Sequence, residues 1–156
     1  MKKAFSIYLL VLLIIISPAM LCAQAVAGKI KPALNHIALY VVDLKKSTSF
    51  YQQVVQLDTI PEPFHDGRHT WFSIGTNCHL HLIQGAKGFS VHEKHNHLCF
   101  TVSSVADFIK ILDTHHVAYE NLPGQKMQVT KRVDGVNQIY FKDPDGYWIE
   151  INDAKY

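Results

Sequence analysis

Along "LNHIALYV" (Leu34 to Val41) apolar and polar positions alternate. Ile37, Leu39 and Val41 share one face of a strand, and His36, Ala38 and Tyr40 share the other. The period then lengthens. In "DLKKSTSFYQQVV" the residues Leu44, Thr48, Tyr51 and Val55 form one stripe, which is helical spacing. Alternation returns in "TWFSIG" and "CHLHLIQG", where His79 and His81 share one face and Leu80 and Leu82 the other. The whole pattern then recurs. "NHLCFTV" sets His97, Cys99 and Thr101 against Leu98, Phe100 and Val102, and "SVADFIKILDTHH" repeats the helical stripe with Val105, Phe108, Ile109 and Leu112. "NQIYFKD" and "YWIEIND" close the second half. At a fixed offset His36 meets His97, Ile37 meets Leu98 and Leu39 meets Phe100, the mark of an internal duplication.

The pattern predicts an α+β chain built from two strand–helix–strands modules, about residues 33–85 and 95–153, joined by "GAKGFSVHEKHN". The apolar face of each strand set belongs under its helix. The opposite face, with a histidine and mostly small residues on its leading strand, suits the lining of a cleft. "DPDG" (Asp143 to Gly146) is a tight turn that launches the last strand.

The N-terminal segment has a different character. Lys2 and Lys3 precede an apolar run from Ala4 to Ile16, followed by Pro18 and small residues around Ala23 and Ala25. That order predicts a signal peptide over residues 1–25, with one folded domain over 26–156 and an exported, periplasmic or extracellular location. An uncleaved membrane anchor is the alternative. Loss of Lys2 and Lys3 reduces the 15 basic side chains to the number of acidic ones, 13, so the slightly basic balance belongs to the leader. Nothing in this balance points to nucleic acid. Of three cysteines, Cys22 lies in the leader; Cys78 and Cys99 sit in strand-like runs and read as buried thiols.

The candidate chemistry lies on the cleft-facing side of the strands. Each half places a histidine on its first strand and a ligand-capable side chain on its last: His36 and His81, then His97 and Glu150. Glu150, between isoleucines, would be a costly buried charge unless paired or metal-bound. Three imidazoles and a carboxylate suit one divalent metal, Zn, Ni, Fe, Co or Mn. His79 shares the face of His81 and is an alternative ligand. His65, His69, His92, His95, His115 and His116 fall in loops or at a helix end and are set aside. Tyr40, Trp71 and Arg132 are further candidates for substrate contact.

"LNHIALYVVDLKKSTSFY", "NHLCFTV" and "IYFKDPDGYWIEI" together make the chain resemble the vicinal oxygen chelate superfamily of glyoxalases, bleomycin-resistance proteins and extradiol dioxygenases, from Leu34 to Asp153. The resemblance implies paired βαβββ modules curled around a metal-centred cleft and a homodimer. It implies a small substrate whose adjacent oxygens are chelated, with Glu150 or a metal-bound water as proton acceptor and an enolate-type or oxyanion species stabilised. It leaves room for an Fe(II) dioxygenase or a resistance-type binding protein. His81 stands where glyoxalase I usually has a carboxylate, which removes one base and makes the site more positive. Ala38 stands where the thiol transferases often have a hydroxyl.

Overall fold

The computed structural model describes residues 30–155. The expected leader, residues 1–25, lies outside them. Among the described residues no helix is long and apolar enough to cross a membrane.

Each half folds as strand, helix and three strands. The first comprises β1 (His36–Val41), α1 (Leu44–Gln53), β2 (Thr59–Ile60), β3 (His69–Gly75) and β4 (Cys78–Gln84). The second comprises β5 (His97–Thr101), α2 (Val105–Thr114), β6 (Thr130–Lys131), β7 (Asn137–Lys142) and β8 (Trp148–Asn152). The sheets have the same order, β1-β4-β3-β2 and β5-β8-β7-β6, with the first pair of each parallel and the rest antiparallel. The βαβββ duplication expected from the sequence is therefore present, as two open mixed sheets.

Capping side chains start both helices. Asp43 Oδ1 accepts from Lys46 N at 3.0 Å and Ser104 Oγ accepts from Asp107 N at 3.1 Å, satisfying amides that a first turn leaves free. Tyr51, Phe108 and Leu112 turn inward from the helices onto Phe72, Leu80, Leu82, Ile139, Phe141, Ile149 and Ile151, all buried. Each sheet thus hides its apolar face and leaves the histidine-bearing face open.

The modules share this core. Phe50 of the first half packs on Phe141 of the second, with ring centroids 6.2 Å apart. The "DPDG" turn is more than a turn: it latches the halves. Asp145 accepts from Val42 N at 2.7 Å and from Ser47 Oγ, and Asp143 accepts from the Tyr51 hydroxyl at 2.9 Å. Burial pushes the Asp143 carboxyl up, against these hydrogen bonds, and pushes the Tyr51 hydroxyl well up.

Two expectations are corrected. Cys78 and Cys99 are free thiols, but neither is buried: Cys78 is half-buried and Cys99 exposed, because Cys99 points from the open face of an edge strand. His69 is a strand residue, opening β3, and pairs with Asp66 at 2.9 Å.

Candidate functional site

Strand register decides which side chains can meet. In the first sheet Ala38, His81 and Trp71 lie in one row across β1, β4 and β3, beside a row of His36, His79 and Ser73. In the second, Cys99, Glu150 and Tyr140 form one row across β5, β8 and β7, beside His97, Trp148 and Lys142. Superposing the duplication therefore matches His36 with His97, His81 with Glu150, and Trp71 with Tyr140. His79 matches Trp148 instead.

The first pair is a stack. The His36 and His81 rings lie 4.3 Å apart at 10°, and Trp71 covers His81 at 3.8 Å and 4°. His36 Nδ1 is 2.8 Å from Asn35 Oδ1, an oxygen that can only accept. Nδ1 of the neutral ring therefore carries the hydrogen and Nε2 keeps its lone pair. His81 is buried, and its Nε2 has no hydrogen-bond partner among the described residues. Burial first, then His36, His79 and His69, push its pKa down to about 4. At neutral pH His81 is a neutral imidazole with an unsatisfied nitrogen.

The second pair is a hydrogen-bonded network. Glu150 is only 6% exposed. Its Oε2 accepts from the Tyr140 hydroxyl at 2.6 Å, and its Oε1 from Asn152 Nδ2 at 2.8 Å. Burial works to raise the Glu150 carboxyl; the bonds from Tyr140, Asn152 and Cys99 and the nearby His97 outweigh it, so the net shift is downward. Burial and the Glu150 carboxylate drive Tyr140 well up, and drive the Cys99 thiol up to about 12.

His97 supplies the test of whether these residues fit a metal. Its Nδ1 is 2.7 Å from the Lys94 carbonyl oxygen, which can only accept, so Nδ1 carries the hydrogen. Nε2 then turns its lone pair to Glu150 Oε2, 3.1 Å away. Two lone pairs at that separation need a cation between them, either a proton or a metal ion. Nδ1–H held by a carbonyl is also the usual support of a metal-ligating histidine. The donor set fits a divalent cation on these grounds.

Within one chain the structure brings the four expected ligands together as two pairs. No cluster of three or more ligand-type side chains able to hold a metal occurs among the described residues. The substrate-contact candidates lie apart. Trp71 is in the first stack. Tyr40 is half exposed on the same face, its ring against Gly85 and its amide donating to the Tyr147 hydroxyl. Arg132 pairs with Asp134 at 2.6 Å and lies close enough to Cys99 and Tyr140 to offset a small part of their upward shifts.

Sequence reasoning missed Tyr140, Asn152 and the Lys94 carbonyl. The signal for Asn152 was available, since it sits two residues after Glu150 and so shares its face. The hydrogen bond from Tyr140 needed the antiparallel register of β7 and β8, which spacing alone does not give.

The fold and sequence have known counterparts. The chain is 29% identical to the metallothiol transferase FosB of Shouchella clausii over 124 residues, covering 76% of this chain and 78% of that one. It is 27% identical to the lactoylglutathione lyase of Pseudomonas putida over 165 residues, covering 83% and 89%. Among solved structures, the fosfomycin resistance protein FosX of Listeria monocytogenes superposes with a TM-score of 0.63 at 23% identity, covering 80% of this chain and 95% of that one. The oxidase ChaP-H1 gives 0.65 at 20%, covering 81% and 98%; at these identities the likeness is one of fold. The model of the Glyoxalase/Bleomycin resistance protein/Dioxygenase superfamily matches residues 33–151, and the chain belongs to that family.

Proposed function

We propose that the protein is a divalent-metal-dependent enzyme of the lyase or isomerase type, acting on a small substrate that presents two adjacent oxygens. His36, His81, His97 and Glu150 would hold the metal. The observation that carries this reading is a pair of ring nitrogens without a donor or acceptor suited to them: His81 Nε2, buried without a partner, and His97 Nε2 facing a carboxylate. His81 is preferred to His79 because it occupies the register position that Glu150 occupies in the second half. Because the pairs lie on different sheets of one chain, the proposal includes a homodimer in which the first pair of one copy meets the second pair of the other. Export to the periplasm or beyond, on the strength of the N-terminal segment, belongs to the same proposal.

A divalent cation bound there supplies Lewis acidity to the chelated oxygens. The remaining work falls to the chain. Glu150 is the proton acceptor, held in place by Tyr140 and Asn152. Trp71 fixes the plane of His81. Tyr40, exposed on the same face, is the side chain offered to an apolar part of the substrate.

Elemental mass spectrometry on the purified protein, beside His81→Ala and Glu150→Ala, tests the assignment. The reading expects about one metal per chain in the parent and loss in both variants. Metal retained in His81→Ala would remove that ligand and turn the site toward three-ligand oxygen chemistry. A parent without metal would make the protein a binder built on the same fold.

A further inference from the structure

The row that carries His97 runs on across the second sheet through Trp148 to Lys142. Lys142 Nζ stands 4.6 Å from the centre of the Trp148 ring, and Lys94 Nζ stands 5.1 Å from it. Such contacts hold an ammonium in place while leaving most of its hydrogens free. The two lysines differ in what else they do. Lys94 is committed: it pairs with Glu120 and donates to the carbonyls of Asn121 and Leu122 at 3.2 Å each. Lys142 is exposed and, among the described residues, takes part in no ion pair. Beside it opens a cleft of about 400 Å³, lined by Tyr119, Glu120, Lys126, Tyr140, Lys142 and Trp148. Two lysines line the cleft, Lys126 and Lys142, against one glutamate that Lys94 already pairs with, which leaves it net positive.

We infer that this cleft is an anion subsite: Lys142, positioned on Trp148 and supported by Lys126, takes a carboxylate or phosphate group of the ligand. The inference rests on the reading above for what it says about the substrate. Adjacent strands are about 4.8 Å apart, so Lys142 sits roughly 10 Å along the row from His97. The substrate class is therefore a small molecule with vicinal oxygens at one end and an anionic group a few carbons away. Tyr140 joins the two regions, since it lines the cleft and donates to Glu150. Exposed lysines near a sheet margin also discourage edge pairing, but that role requires no saturable anion binding.

The test uses ¹⁵N-labelled protein treated with a chelator, so it does not depend on the metal. Inorganic phosphate and succinate are titrated separately at constant ionic strength, with chloride as the control. The readout is the indole N–H signal of Trp148, assigned through Trp148→Phe. A saturable shift with a dissociation constant on the order of 1–10 mM is expected for at least one anion, weakened about tenfold or more in Lys142→Gln and restored in Lys142→Arg. Whichever anion binds names the group. No saturable shift with either, an unchanged constant in Lys142→Gln, or movement of the Trp71 indole alone would overturn the subsite. Metal content of Lys142→Gln, measured in parallel, should equal that of the parent. Loss of anion binding with metal retained thus separates failure here from failure of the metal site.

Discussion

The two halves started from one design and now use it differently. In the first, His36 stacks on His81, a neutral imidazole that Trp71 covers. In the second, His97 Nε2 faces the Glu150 carboxylate at 3.1 Å, and Tyr140 and Asn152 fix that carboxylate by hydrogen bonds. Even the repeated Asn-His pair has diverged, since Asn35 holds His36 while the Lys94 carbonyl holds His97. A buried carboxylate needs several donors around it, whereas a buried neutral imidazole needs packing and one partner each for its N–H and its lone pair. The structure answers each need separately, and neither pair alone offers a cation more than two side chains.

The comparison breaks most sharply if the pairs are mixed. In one variant His36 and His81 become alanine; in another His97 and Glu150 do. Neither should bind metal alone. Co-expressed, they form mixed dimers in which one of the two shared sites has all its ligands, so about one metal per mixed dimer is expected. Elemental analysis of the purified mixed dimer decides. No recovered metal there would place each site within a single chain.

Cys99 probes the charge of the second half, because Ala38 is its counterpart in the first. Although Cys99 is exposed, its thiol is pushed up to about 12 by burial of its surroundings and by Glu150. With metal removed, alkylation by iodoacetamide at pH 8 should run about 10²–10³-fold slower than for free N-acetylcysteine. Glu150→Gln should recover part of that rate. Equal rates in the parent would remove the carboxylate's influence.

The supports of the two ligands should differ in a smaller, measurable way. Tyr140→Phe deletes the 2.6 Å bond to Glu150 and keeps the ring, so metal affinity should fall about 10–100-fold. Trp71→Phe keeps an aromatic cover over His81 and should cost less. Competition with a metal-binding dye measures both. A larger loss in Trp71→Phe would reverse the ranking of the halves.

Much of this was legible in the chain. Alternation gave the strands and the cleft-facing side of each, because one face of an open sheet must be apolar. The duplication paired His36 with His97. Matching His81 to Glu150 was harder, since the loops between strands differ in length and only parallel register aligns the two last strands. The Asp143 and Asp145 latch was hidden for a different reason. A Pro- and Gly-bearing turn explains its own sequence, so nothing in it signals that both carboxylates are buried against α1.

The smallest effect concerns the metal-free protein and belongs to the first half alone. His81 titrates at about 4 in the fold, below its ordinary value of 6.5, mainly because it is buried. A histidine with a depressed folded pKa takes up its proton more readily when unfolded. Its neutral form therefore carries no penalty above pH 6.5, and stability falls as the pH drops from there toward 4. Allowing for solvent around the ring, the loss is about 1–2 kcal/mol over that window. Chemical denaturation at pH 7 and pH 4.5 in the presence of chelator should show it, and His81→Gln should flatten that part of the profile. An unchanged slope in His81→Gln would mean that another group titrates there, and that burial does not keep the His81 imidazole neutral.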